Sequence, residues 1–108
     1  MSIDVDGISF IGSDINKTIL SFEKQQTGAQ GLLITSDNVT LSDFAVLNAK
    51  GDAIKAKGVD SIKFIKVKTE WTGGPKETNG AYGLYPVEST NILIDNCVAI
   101  GADRKSVV

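Results

Sequence analysis

The chain has 108 residues, 42% of them hydrophobic and 22% charged, with 13 acidic and 11 basic side chains and a formal net charge of −2. That is the size of one domain with enough apolar material for a core, which argues against a disordered chain, and its acidic balance argues against a dedicated nucleic-acid binder. Histidine is absent, so Ser-His-Asp and Cys-His nucleophile systems are excluded by inventory, and the usual zinc ligand is missing.

From the N-terminus, Met1 to Asp6 holds neither a basic region nor a long apolar stretch, so no signal peptide is read there. No segment approaches the roughly 20 apolar residues of a membrane span. Gly7-Ile-Ser-Phe-Ile11 is the first short alternating run. A fuller copy follows at Asn38-Val-Thr-Leu-Ser-Asp-Phe-Ala-Val46, another at Ser61-Ile-Lys-Phe-Ile-Lys-Val-Lys-Thr69, and a third at Asn91-Ile-Leu-Ile-Asp-Asn-Cys-Val-Ala99. Each alternates with period two, as strands do. Each also breaks at a two-residue step, Ser42-Asp43 in the first full copy, which predicts a corner. A second apolar run precedes each copy: Leu32-Leu-Ile34, Ala53-Ile54 and Gly83-Leu-Tyr85.

Aligned in register, the apolar columns are Val39/Ile62/Ile92, Leu41/Phe64/Ile94 and Phe44/Val67/Cys97, with Ile8 and Phe10 extending the first two upstream. Patterns recurring every 20 to 50 residues or so signal a stacked repeat. No stretch carries the three-and-four spacing of an amphipathic helix. A sandwich or barrel would not require the same columns to recur. The predicted fold is therefore all-β, a right-handed parallel β-helix of about four coils over residues 1–103, with 104–108 expected to be an irregular or non-native tail. Cys97 has no partner for an internal disulfide and sits in a core column, which favours packing over reactivity.

Two segments carry a resemblance to known proteins: Thr69-Glu-Trp-Thr-Gly-Gly-Pro-Lys-Glu-Thr-Asn-Gly-Ala-Tyr-Gly-Leu-Tyr-Pro-Val87 and Asn91-Ile-Leu-Ile-Asp-Asn-Cys-Val-Ala-Ile-Gly-Ala102. With them, the chain resembles right-handed parallel β-helix repeat proteins of the pectin-lyase-like superfamily, and most closely the bacterial repeat proteins of largely unknown role. The resemblance implies a periplasmic or extracellular bacterial parent, of which this chain is expected to be a truncated piece. It also implies lyase, hydrolase or epimerase chemistry on uronic-acid polysaccharides in that parent. Fold alone does not fix function.

The insertion Glu70–Tyr82 is where binding groups are expected, since loops on a rigid repeat display them. The candidate substrate-binding residues are Glu70, Trp71, Lys76, Glu77, Asn79, Tyr82 and Tyr85. Rings suit the C–H faces of sugars, and amides and carboxylates suit hydroxyls. The alternative is that Trp71 and Tyr82 fold back over their own coil. No complete catalytic set is read, so whether the parent is an enzyme stays open and this chain alone is not expected to be one. No metal site and no cofactor are read. Lys55, Lys57, Lys63, Lys66 and Lys68 crowd one coil and read as a solvated face, with Lys66 stacked on Asp43 and Lys63 on Thr40. Asn38, Ser61 and Asn91 share a column expected to form a polar ladder.

Two functions follow. One is a carbohydrate-binding or polysaccharide-processing module whose partner is an acidic polysaccharide. The other is a structural, self-assembling repeat without small-molecule chemistry, because bare end coils expose apolar side chains and unpaired backbone. Self-association through open coil ends is expected, and no nucleic-acid or membrane partner.

Overall fold

The structure, a computed structural model, describes residues 1–24, 30–74, 79–80 and 82–103, together with the backbone of 105–107. Among these residues every regular element is a strand: β1 (Ser2–Ile3), β2 (Ser9–Ile11), β3 (Ile19–Ser21), β4 (Gln30–Ile34), β5 (Val39–Leu47), β6 (Asp52–Lys57), β7 (Asp60–Glu70), β8 (Tyr82–Val87), β9 (Thr90–Asp95), β10 (Val98–Ile100) and β11 (Lys105–Val107).

All the strand pairs are parallel, in two sheets. The first runs β1-β4-β6-β8-β11. In the second, β2 and β3 lie end to end on β5, β5 lies on β7, and β9 and β10 lie end to end on β7. The chain thus alternates between sheets and returns beside its earlier strand. The anticipated columns pair directly: Val39 with Ile62 and Ile62 with Ile92, Phe10 with Leu41, Leu41 with Phe64 and Phe64 with Ile94. In the first sheet Leu32 pairs with Ile54 and Ile54 with Leu84.

Backbone conformation explains the turn residues. Gly7, Asn38, Ser61 and Asn91 precede the columns with φ of 76°, 57°, 68° and 54°. The corner read at Ser42-Asp43 is a second such position, with φ of 60° at Asp43, 52° at Lys66 and 53° at Asn96. Glycine and asparagine enter this left-handed region cheaply, whereas most L-residues pay about 1–2 kcal/mol there. Asparagine at these turns is therefore explained by backbone geometry.

Leu32, Ile54, Leu84, Val39, Ile62, Leu41, Phe64, Phe44 and Val67 from both sheets are fully buried together. Each contributes about 1.5–3 kcal/mol relative to exposure. Phe10 packs edge-on to Phe44, centroids 5.0 Å apart. Cys97 is half-buried against this core with its Sγ 3.3 Å from Phe64 O, as its column placement implied.

Three details differ from expectation. Residues 105–107, part of the stretch expected to be an irregular or non-native tail, form β11, with Lys105 opposite Tyr82 and Val107 opposite Leu84. Thr40 does pair with Lys63, but Lys66 and Asp43 form no ion pair among the described residues; the Asp43 carboxylate instead takes the Ser42 hydroxyl. The polar ladder runs one residue ahead of the expected column. Asp37 N donates to Asp6 Oδ1 (2.7 Å), Asp60 N donates to Asp37 Oδ1 (2.9 Å), and Asn91 meets the ladder only through Asp60.

Candidate functional site

Of the seven candidate residues, the five that the structure describes do not gather at one place. Trp71 follows β7 and turns inward; it is 4% exposed, and its Nε1 donates to Ala49 O at 2.7 Å. Its own N donates to Ile100 O and its carbonyl accepts from Gly74 N, so both sides of the residue are tied to neighbouring strands and turn. A Cβ on Gly80 would collide with the Gly51 carbonyl and touch the Trp71 ring, so only glycine fits there. Asn79 Nδ2 donates to Gly74 O (2.8 Å) and Gly101 O (2.7 Å), stitching the insertion to the following turn. A small cavity of about 210 Å³ remains between Trp71, Asn79, Asn48, Lys50 and Glu23.

Glu70 lies at the end of β7 in the second sheet, 3.0 Å from Lys68 Nζ. Lys76 and Glu77 lie outside the described residues.

Tyr82 and Tyr85 do come together, on the outer face of the first sheet, with ring centroids 4.5 Å apart. The cause is local. Gly83 and Leu84 are both buried, so the strand departs from strict alternation and both tyrosines point outward. The preceding strand does the same: Ala53 and Ile54 are buried between Asp52 and Lys55. Because Lys55 pairs with Tyr85, its Nζ lies 5.7 Å from that ring's centroid, within cation–π reach. Asp52 Oδ1 accepts from Tyr82 N at 3.2 Å. Partial burial raises the Asp52 carboxyl above its ordinary value, opposed by the Tyr82 N–H and the Lys55 charge. Asp52 and Lys55 were missed as neighbours of the tyrosines. The signal was the alignment of Ala53-Ile54 with Gly83-Leu84, flanked in each strand by outward residues.

Another outer feature is a groove of about 370 Å³ along the turn between the sheets, lined by Asn38, Thr40, Ser61, Lys63, Asn91 and Leu93. Beside it the Asp60 carboxylate accepts from Asn91 Nδ2 (2.7 Å) and Thr90 Oγ1 (3.0 Å). Those bonds, the Asn91 one foremost, hold Asp60 below the ordinary carboxylate value.

Among the described residues no three His, Cys, Asp or Glu side chains group as a metal site, and no helix is long and apolar enough to cross a membrane. Two rings, one cation and one carboxylate can bind a ligand. Comparison with protein-family models finds no match for this chain, and neither does comparison with curated proteins or with solved structures.

Proposed function

We propose that the chain is a right-handed parallel β-helix of about four coils, and that it serves as a structural module whose open coil ends stack against further parallel strands. In-register parallel pairing across both sheets supports the coil geometry. Crossovers between parallel strands are right-handed in about 98% of cases, which supports the hand. The observation that carries the functional half is a change of burial along single columns. Ile62 and Phe64 are fully buried, whereas Ile92 and Ile94, directly beside them, are each 38% exposed. The edge backbone there is also without a further strand among the described residues. Such an edge favours strand addition. Sedimentation of the chain at tens of micromolar is expected to give species well above 11.4 kDa. A well-behaved monomer would overturn the reading.

A second reading, an acidic-polysaccharide module, is favoured by the outward Tyr82–Tyr85 pair with Lys55 beside it. The rings offer a surface for sugar C–H faces, and Lys55 a counter-charge for a uronate carboxylate. Tyr85→Ala is then expected to abolish retention on a uronic-acid polysaccharide while the circular dichroism spectrum stays unchanged. No retention of the parent chain removes this reading.

A further inference from the structure

Resting on the stacking reading above, we infer that the strand layer which covers β9 and β10 is the β2/β3 edge of a second copy of this chain, joined head to tail with its strands parallel. The two edges lie at opposite ends of the second sheet, and each exposes large apolar side chains, Ile8, Ile11 and Ile19 on one and Ile92, Ile94 and Val98 on the other. Val98 pairs with Lys68, and Lys68 with Ala45, which pairs with Ile19. That outer row therefore reads Ile19, Ala45, Lys68, Val98. Its two interior members are Ala45, which is buried, and Lys68, which is ion-paired to Glu70, while its two end members, Ile19 and Val98, are apolar and 47% and 40% exposed.

A second copy advanced by one layer lays Ile19 against Val98, Leu20 against Ala99, and Phe10 against Ile94. In each case it repeats the register that these residues already keep on β5. Ile8, which precedes Ser9 on the Thr40 row, falls against Ile92. On the outer rows Ser9 meets Leu93, Ile11 meets Asp95 and Ser21 meets Ile100, so no like charges face each other.

The first sheet takes the same step with one adjustment. β11 lies over Tyr82 to Leu84, whereas β1 occupies the rows of Tyr85 and Pro86, through Ser2–Leu33–Lys55 and Ile3–Ile34–Ala56. A stacked copy's β1 thus continues the path that β11 begins. Met1, which bonds Gly31 O and Leu33 N, shares the row of Val107 and is the residue that must swing aside. Two β9/β10 edges facing each other would meet first at β11, which stands one layer beyond them. The contact is therefore heterologous, and copies add in an open series.

The test uses the full chain with Ile19→Lys and Val98→Glu made separately. Both positions are exposed, and circular dichroism checks that each variant folds. Each alone is expected to sediment as a monomer. In an equimolar mixture the unaltered Val98 edge of one variant meets the unaltered Ile19 edge of the other, and the introduced lysine and carboxylate face each other at the next joint, so alternating assembly is expected to return. Either variant assembling like the parent, or a mixture that stays monomeric, overturns the register. A parent chain that is itself monomeric overturns the stacking reading beneath it, so the two failures are distinguishable. Cross-linking covers the case in which a variant misfolds. In a Cys97→Ser background, Ser9→Cys mixed with Leu93→Cys is expected to yield a disulfide-linked pair on mild oxidation. Ser9→Cys alone is expected to give none. No mixed disulfide, or an equally efficient Ser9→Cys homodimer, refutes the arrangement.

Discussion

The backbone N–H of Asp60 donates to a carboxylate oxygen of Asp37 at 2.9 Å, across 23 residues of chain. Asp37 repeats the gesture on Asp6, and Asp60 receives Asn91 and Thr90 in turn. Each carboxylate thus satisfies a donor of the adjacent layer at the turn between sheets, beside φ-positive residues whose backbone geometry limits regular pairing. Asp37→Ala removes the middle rung and leaves the Asp60 N–H to solvent. The expected loss is about 1 kcal/mol, read as a lower urea midpoint with an unchanged slope. Asp37→Asn keeps an acceptor oxygen and should lose less. An unaltered midpoint for the alanine variant would show that the rung is replaced by water without penalty.

Thr69 is fully buried in the column of Val46, and its Oγ1 has no hydrogen-bond partner among the described residues. A hydroxyl in that position loses its water without recompense. Thr69→Val replaces it by a methyl of nearly the same shape. It is expected to stabilise the fold by about 1 kcal/mol, or roughly 4–8 °C in Tm for a domain of this size. A lower Tm for the valine variant would mean that the hydroxyl finds a partner in solution.

Trp71 is the only tryptophan, so its environment can be read directly. Buried and bonded to Ala49 O, it should emit at short wavelength and resist quenching by acrylamide. Trp71→Phe keeps much of the ring but leaves the Ala49 carbonyl without its donor. The expected cost is about 1–3 kcal/mol, and Trp71→Ala should cost about 3–5 kcal/mol through the cavity. Ready quenching of the parent's fluorescence would place the ring outside and restore it as a binding surface.

The columns were legible because alternation marks inward residues at Val39, Leu41, Ile62 and Phe64, and because recurrence in register does not arise in unstacked strands. The direction of Trp71 was not legible. An aromatic beside Gly73-Gly74 reads either as displayed or as folded back over its own coil, and nothing in the sequence announces that Ala49 offers it a carbonyl. The acid ladder was missed by one residue. Asparagine at a turn looks like a hydrogen-bonding choice, whereas Asn38 is there for its positive φ while the neighbouring Asp37 does the bonding, and Asn91, also at positive φ, joins only by donating to Asp60. The Asp52–Lys55–Tyr82–Tyr85 group escaped because strict alternation puts Tyr82 and Tyr85 on opposite faces. Only the two consecutive inward residues, Gly83 and Leu84, bring them together.

The same group gives a pH prediction of unusual sign. Burial raises the Asp52 carboxyl above its ordinary 3.8, to which it returns on unfolding. Between the two values the native state holds more protons than the unfolded state, so this residue's contribution to stability falls as pH rises through the carboxylate range. Asp60 acts oppositely: its value is lowered, so its contribution is present above the unfolded value and is lost as pH falls through the folded one. Asp52→Asn keeps an oxygen for Tyr82 N and abolishes the titration. Its Tm is expected to exceed the parent's at neutral pH, with the gap closing below the ordinary carboxylate value. Asp60→Asn should be neutral or worse at neutral pH and converge with the parent in acid. Should Asp52→Asn instead melt lower at neutral pH, attraction to Lys55 would outweigh the burial of the carboxylate, and the direction assigned to Asp52 would be reversed.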